Sequence, residues 1–187
     1  RSRPQGGLGP GRARPPSRCP FPGAAVPSVR IQPLGAEWEV TLMRVIHLIG
    51  GGDTGGAKTH VLNLLKELNH HIDAQLFCFR KGDFSEDAEK MGIPIHVIDS
   101  GNPLVGYQEL KKLLAGQKVD IIHCHGARGN LMGNLIKKYC KAPVVTTVHS
   151  DYRLDYLGRP VARLSYGNIN MVALRRVNFY IGVADPM

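Results

Sequence analysis

The stretch from Val45 to Leu68, VIHLIGGGDTGGAKTHVLNLLKEL, decides the fold. Val45–Ile49 is a short apolar run typical of a buried strand, and from Val61 onward the apolar residues recur at helical spacing. Five glycines between positions 50 and 56 leave few side chains between the backbone and a ligand. A strand, a glycine loop and a helix N-terminus together present backbone N–H groups and a positive dipole end to an anion. The stretch therefore predicts an α/β unit that binds a phosphate or diphosphate.

Beyond this unit, short apolar runs alternate with helical patterns. The predicted strands are 44–49, 73–79, 95–98, 119–123, 144–148 and 179–183. The predicted helices are 57–68, 85–91 capped by Ser85, 107–114, 130–139 capped by Asn130, and a partly helical region at 159–176. Continuous Val/Ile runs are typical of strands buried on both faces, which favours a parallel sheet between helices. We predict a doubly wound, mainly parallel, Rossmann-like α/β sheet.

Polar clusters follow four of the predicted strands. They are the glycine loop, residues 79–83, residues 123–126 and residues 149–152. Because the carboxyl ends of parallel strands lie at one edge of a sheet, ligands bind there, and these clusters are expected to converge on one site.

The N-terminal 42 residues differ in composition from the rest of the 187-residue chain. They hold six of the 24 basic and two of the 15 acidic residues, and eight of the 13 prolines. We interpret 1–42 as a disordered, Arg/Pro/Gly-rich leader that is non-native, with Met43 as the natural start. Much of the formal charge of +9 therefore belongs to the leader. Since the sequence shows neither Lys/Arg residues clustered on one face with aromatic residues nor a known nucleic-acid-binding module, we expect no nucleic-acid partner.

The cysteines and the hydropathy indicate the compartment. The four cysteines form no C-x-x-C pair, and Cys78 and Cys124 lie in strand-like runs as small buried hydrophobes. No apolar run is long enough for a membrane helix. We expect a cytoplasmic protein. The basic runs 137–141 (KKYCK) and 175–176 fit either helix C-termini or peripheral contact with the anionic inner face of a membrane.

Two nucleotide-binding patterns also fit the glycine loop. Gly50-x-Gly52-x-x-Gly55 satisfies the dinucleotide fingerprint, although Arg80 stands near the place of the ribose-binding acid and suits NADP instead. Residues 52–59 resemble a P-loop in which Ala57 replaces the last glycine. Both remain alternatives at this point.

The histidines are weighed for metal binding. His123 and His125 share one strand face, but two ligands without a third predict no metal site. His123 is interpreted as a packed strand residue. His47 and His96 are interpreted as hydrogen-bonded core groups, and His70-His71 as a solvated helix end.

Three motifs occur in order along the chain. They are Gly55-Gly56-Ala57-x-x-His60-Val61, Val119-Asp120-Ile121-Ile122-His123-Cys124-His125 and Pro143-Val144-Val145-Thr146-Thr147-Val148-His149. A fourth stretch, 181–187, follows them at the end of the sequence. With these motifs the region from Met43 to Met187 resembles the N-terminal domain of family-4 glycosyltransferases.

The resemblance implies a GT-B enzyme, in which two Rossmann-like domains face a cleft. The N-terminal domain holds mainly the acceptor, a glycan or lipid-linked molecule, and the C-terminal domain holds the nucleotide-sugar donor. Such enzymes retain anomeric configuration and need no metal or other cofactor. Carried over by position, Gly55 and Gly56 lie against the donor diphosphate and sugar, and His149 is the catalytic candidate that hydrogen-bonds the transferred sugar. Lys58 either contacts phosphate or is solvated, and the acceptor-side candidates are His60, His125 and Asp151.

One part of the family pattern is missing. The glutamate pair E-x7-E belongs to the second domain, and no two glutamates here lie eight positions apart. We therefore expect a fragment that lacks its C-terminal donor domain and is inactive alone.

Overall fold

The computed structural model describes residues 31–34, 37–40, 42–52, 54–148 and 168–183. Its strands are β1 Ile31–Leu34, β2 Glu37–Val40, β3 Arg44–Ile49, β4 Asp73–Cys78, β5 Ile95–Val97, β6 Ile121–His125, β7 Val144–Val148 and β8 Phe179–Gly182. Its helices are α1 Gly55–Leu68, α2 Asp83–Lys90, α3 Pro103–Leu113, α4 Gly126–Cys140 and α5 Asn168–Leu174.

The six predicted strand runs all join one sheet, in the order β5-β4-β3-β6-β7-β8. Every pairing between neighbours is parallel. From the centre, the chain moves outward through β3, β4 and β5 on one side and through β6, β7 and β8 on the other. The predicted doubly wound parallel fold is confirmed, and its topological switch point lies between β3 and β6.

Apolar side chains from β3 are buried on both faces of the sheet. Ile46 and Leu48 pack with Leu110 of α3 and Met132 of α4. Ile49 packs on the opposite face, in a cluster with residues of α1 and α2 that include Val61, Leu65 and Phe84. Two buried faces explain why β3 reads as a nearly continuous apolar run rather than an alternating one. The buried cysteines behave as predicted, since Cys78 and Cys124 are 0% exposed.

Helix α4 packs unusually close to the sheet because two of its inward positions are glycines. A Cβ added to Gly129 would collide with the backbone carbonyl oxygen of Leu48. A Cβ added to Gly133 would collide with the thiol sulfur of Cys124. Small residues at these positions therefore set the distance between α4 and strands β3 and β6.

Two of the predicted helix caps are wrong. Ser85 lies inside α2, where its hydroxyl accepts from the backbone N–H of Gly82 at 3.1 Å. Asn130 lies more than a turn inside α4, because pairing of β6 with β3 continues to His125 and the helix begins at the next residue. The buried side chain of Asn130 instead accepts from Thr146 Oγ1 at 2.6 Å.

Part of the leader is structured. Within 1–42, β1 and β2 pair in antiparallel register, with Ile31 opposite Val40 and Leu34 opposite Glu37. These eight residues include isoleucine, tryptophan and valine, all strand-favouring types, and the interpretation of 1–42 as a disordered leader stays a prediction. Residues 1–30, 35–36 and 41 of the leader, and residues 159–167 of the predicted helical region 159–176, lie outside the described residues, and α5 lies in the other half of that region. Within the described ranges, no helix combines the length and apolar composition needed to span a bilayer.

Candidate functional site

The candidate site lies at the switch point, where the chain leaves β3 and β6 in opposite directions. The glycine loop follows β3 and leads into α1, while β6 leads directly into α4 at Gly126. Two helix N-termini thus start at the carboxyl ends of two neighbouring central strands, and in this kind of sheet ligands usually bind at that edge.

The glycine loop is tightly packed at its start and open at its end. Gly51 is buried at φ 84°, and a Cβ there would collide with Cys78 Sγ and the carbonyl oxygen of Arg80. Gly55 and Gly56 are exposed, and among the described residues no atom outside the local backbone of α1 lies within 4 Å of the positions their Cβ atoms would take. Within the described part of the chain, no side chain covers the backbone at these two positions.

Within the described residues, the N-terminus of α1 has neither a side-chain cap nor an acidic residue in its first turn. Thr54 stands at the N-cap without a side-chain hydrogen bond, and the first turn of α1 contains no acidic residue. The first N–H groups of a helix need an acceptor, and an anion satisfies them while interacting favourably with the helix dipole. Arg80 adds a positive charge here, since its guanidinium lies 3.5 Å from the point that a Cβ on Gly52 would occupy.

Lys58 does not face the loop. Its ammonium contacts Asp87 Oδ2 at 2.6 Å and the carbonyl oxygen of Asp83 at 3.2 Å, both in α2. The hydrogen bonds of Lys58 and then Lys90 hold the pKa of Asp87 below its usual value. The side chains of Lys58, Asp87 and Lys90 help line a cavity of about 260 Å³ between α1 and α2. This geometry favours a structural role for Lys58 over the phosphate contact.

His60 lies one helical turn beyond Gly56 and is half-buried. Because residues four apart share a helix face, its ring is on the side of α1 that begins at the exposed glycine turn. His149 and Asp151, the other candidates near this edge, lie outside the described residues.

Three histidines are packed together beneath the switch point. His47 of β3 is opposite His123 of β6 in the parallel register, and His125 is two residues further along the same face. The ring centroids lie 4.7 Å apart for His47 and His123, 5.5 Å for His47 and His125, and 4.4 Å for His123 and His125. We call His47, His123 and His125 the histidine cluster.

Hydrogen bonds connect the histidine cluster internally and to β7. His47 Nδ1 and His125 Nε2 lie 3.2 Å apart. His123 Nε2 lies 2.7 Å from the hydroxyl oxygen of Thr147. The predicted interpretation of His123 as a packed strand residue is confirmed, since it is 8% exposed. His125 is 1% exposed, so its ring is buried rather than at the surface.

His47 differs from its prediction. It is a core residue, but its Nε2 atom is buried without a hydrogen-bond partner in the described structure, so it is only half satisfied. Burial, and secondly the proximity of His123, lowers the pKa of His47 well below 6.5 and keeps its ring neutral. The sequence did not identify His47 as a site residue because His47 and His125 are 78 positions apart and only strand pairing joins them.

Comparison with known proteins places the chain in a family. The profile of Glycosyltransferase Family 4 matches residues 54–185. Among curated proteins, the chain is 26% identical over 86 residues to the capsular polysaccharide biosynthesis glycosyltransferase CapH of Staphylococcus aureus, a match that covers 45% of this chain and 24% of CapH.

Solved structures share the fold. HepE of Anabaena, crystallised with UDP-glucose, matches with a TM-score of 0.55 and 16% identity over 78% of this chain and 44% of HepE. MurG of Acinetobacter baumannii matches with a TM-score of 0.50 and 17% identity, covering 78% of this chain and 43% of MurG. The chain thus spans a quarter to under half of the length of these relatives.

Proposed function

The chain belongs to glycosyltransferase family 4, and from this premise we propose that it is the acceptor-side half of an enzyme that transfers a sugar from a nucleotide-sugar donor with retention of anomeric configuration. The observation that carries the proposal is the uncapped N-terminus of α1, with exposed Gly55 and Gly56 at the switch point of the sheet. The crystals of HepE with UDP-glucose and with UDP support a nucleotide sugar as the donor.

The glycine turn is assigned to the leaving group. In sugar transfer, the diphosphate gains negative charge as the bond to the sugar breaks. Fixed backbone N–H donors at Gly55 and Gly56 stabilise that charge without reorganising, and Arg80 contributes a positive charge beside Gly52. In this proposal neither a metal nor another cofactor is required for the transfer, and His149 hydrogen-bonds the transferred sugar as the catalytic residue.

The acceptor-side residues of the proposal are His60, Asp151 and the buried His125. The acceptor is a glycan or a lipid-linked molecule. The donor's nucleotide is held by a second α/β domain that carries the E-x7-E pair, which is consistent with the chain spanning 44% of HepE. The described domain alone is then expected to bind weakly and to transfer no sugar.

A titration of the ¹⁵N-labelled chain with UDP-glucose tests this assignment. We expect shifts of the Gly55 and Gly56 amides, and loss of those shifts in Gly56→Asp, which places a carboxylate where the diphosphate binds. Gly101→Ala is the matched control, because a Cβ at Gly101 meets no atom within 4 Å. Shifts caused by NADPH or ATP but not by UDP-glucose would support the dinucleotide or P-loop alternative and overturn the donor assignment.

A turnover assay tests the division into halves. The chain is incubated with a panel of nucleotide sugars and glycan or lipid acceptors, and sugar transfer is measured. We expect the rate of sugar transfer to the acceptor not to exceed the background rate at which the nucleotide sugar is hydrolysed. Robust transfer by this chain would contradict the proposal that it supplies only the acceptor side of the site.

A peripheral membrane contact on the cytoplasmic side is the second part of the proposal. The basic runs at the ends of α4 and α5 converge, since Lys137 Nζ donates to the carbonyl oxygen of Arg176 at 2.7 Å. Lys138, Arg175 and Arg176 are exposed in the same area. A group of cations from two separate segments suits an anionic lipid surface better than either run alone.

A further inference from the structure

We infer that the histidine cluster is a binding site for one divalent transition-metal ion of the zinc type. His47, His123 and His125 supply the ligands, one ring nitrogen each. The candidate nitrogen atoms of the three residues all lie within 4.8 Å of one another. This inference goes beyond the proposed sugar transfer, and neither depends on the other.

The third ligand arises from strand pairing. His123 and His125 supply two nitrogens from one strand face, which by themselves are insufficient for a metal. The β3–β6 register places His47 opposite His123 and completes a set of three. Three histidines with an open fourth position form an established type of zinc coordination.

The distances are compatible with coordination after small ring rotations. Zn–N bonds of about 2.0–2.1 Å imply that neighbouring nitrogens of a tetrahedral ion lie about 3.3 Å apart. His47 Nδ1 and His125 Nε2 are already 3.2 Å apart. Such an ion would replace the hydrogen bond between these two nitrogens, and His123 would move toward it from the neighbouring position on β6.

The donor chemistry selects the ion. All three ligands are imidazoles, which favour Zn²⁺, Co²⁺, Ni²⁺ or Cu²⁺ over Mg²⁺ or Ca²⁺. The hydroxyl of Thr147, 2.7 Å from His123 Nε2, fixes the orientation of that ring from outside the site. The fourth position is left to water or hydroxide, which offsets part of the charge of the buried ion.

The test uses the chain itself and needs no turnover. The protein is treated with a chelator, dialysed and titrated with Co²⁺ while visible absorption is recorded. We expect one equivalent to bind with the intense absorption of tetrahedral cobalt, and equimolar Zn²⁺ to displace it. We also expect the melting temperature to rise with Zn²⁺ concentration, because the ion binds the folded chain in preference to the unfolded one.

Variants locate the ion. His47→Gln and His125→Gln are expected to abolish the cobalt absorption, and Thr147→Val is expected to weaken affinity roughly 10- to 100-fold. The matched control is the double variant His70→Gln/His71→Gln, whose parent side chains are exposed and which should bind normally. Absorption that persists in His47→Gln, or no binding by the unmodified chain, would overturn the inference and leave a metal-free hydrogen-bonded cluster.

One measurement avoids variants that fail to fold. Ring-nitrogen NMR of the unmodified chain reports each histidine directly when Zn²⁺ is added. We expect large shifts at His47, His123 and His125. Shifts confined to other histidines would place the ion elsewhere and overturn the inference.

Discussion

At the scale of single residues, the sequence leaves two roles open for Lys58, contact with a phosphate or a place at the solvated helix surface. The tertiary contacts of its ammonium group bear on that question. A lysine next to a glycine loop suits phosphate binding, and its charge alone does not decide the matter. The structure directs Lys58 to Asp87 of α2, 2.6 Å away, so the ammonium is already paired. An ion pair between helices is the role that this geometry favours.

Replacement of Lys58 tests that role. Lys58→Met removes the main cause of the lowered pKa of Asp87, so we expect the pKa of Asp87 to rise in carboxyl NMR titrations. Lys90→Met is the matched control and should raise it less, because Lys90 contributes the smaller effect. An unchanged Asp87 pKa in Lys58→Met would contradict the ion pair.

The sign of the accompanying pH dependence follows from the lowered pKa. A carboxyl whose pKa is lower in the folded than in the unfolded chain stabilises the fold above its unfolded pKa. That contribution is lost as the pH falls through the folded value. Asp87 is at the surface, where such pairs contribute little, so the effect on stability should be small.

The contacts of Arg80 and of the histidine cluster could not be predicted from sequence motifs. Arg80 follows the second predicted strand, and its position is visible in the sequence, but its contact with the glycine loop is not. His47 carries no motif at all, because its partners His123 and His125 lie on a strand that is distant in the chain. Residue roles that depend on pairing between strands require the tertiary structure.

At the scale of elements, the strands were better predicted than the helix ends. A strand that is covered on both faces buries every one of its side chains, so each position must be apolar. The resulting Val/Ile run is easy to recognise in the sequence. A helix begins where strand pairing ends, and that point depends on the partner strand. Pairing of Ile49 with His125 extends β6 and moves the start of α4 to Gly126, whereas the sequence pattern placed it at Asn130.

The two inward glycines of α4 give a prediction at this scale. Alanine is a better helix former than glycine by about 1 kcal/mol, so Gly→Ala in an unobstructed helix should stabilise it. Gly129→Ala should instead destabilise the chain by about 1–3 kcal/mol, because its Cβ collides with the backbone of Leu48. Chemical denaturation followed by circular dichroism measures the difference.

A second glycine and a control make this prediction specific. Gly133→Ala meets the side chain of Cys124, which has more freedom than backbone, so we expect a smaller loss. Gly101→Ala meets no atom and should change stability little. A Gly129→Ala variant as stable as the unmodified chain would show that α4 can move away from the sheet without loss.

At the scale of the whole molecule, the fold places separated segments on common surfaces. The basic residues at the ends of α4 and α5 are nearly 40 positions apart in sequence, with Lys137 and Arg176 separated by 39. Their convergence produces a cationic surface that neither segment forms alone. This surface gives the membrane proposal a location.

Co-sedimentation with liposomes tests the membrane contact. We expect binding to vesicles with anionic lipid, little binding to neutral vesicles, and weakening at high salt because the attraction is electrostatic. Lys138→Glu/Arg175→Glu should abolish binding, whereas Lys111→Glu/Lys112→Glu on α3 is the control with equal charge change. Equal binding by both double variants would show that net charge, rather than this surface, causes the attraction.

By itself, the sequence determined the class of fold and the family, and it predicted that the N-terminus of α1 binds an anion. These depend on local features: strand-length apolar runs, helical periodicity and glycines adjacent to both. Only the tertiary structure decided the strand order, the pairing of Lys58 with Asp87, the convergence of basic residues and the assembly of the histidine cluster. These features depend on the register between strands and on helix packing. Both bring together residues that are distant along the chain, and no local sequence pattern shows that such residues will meet.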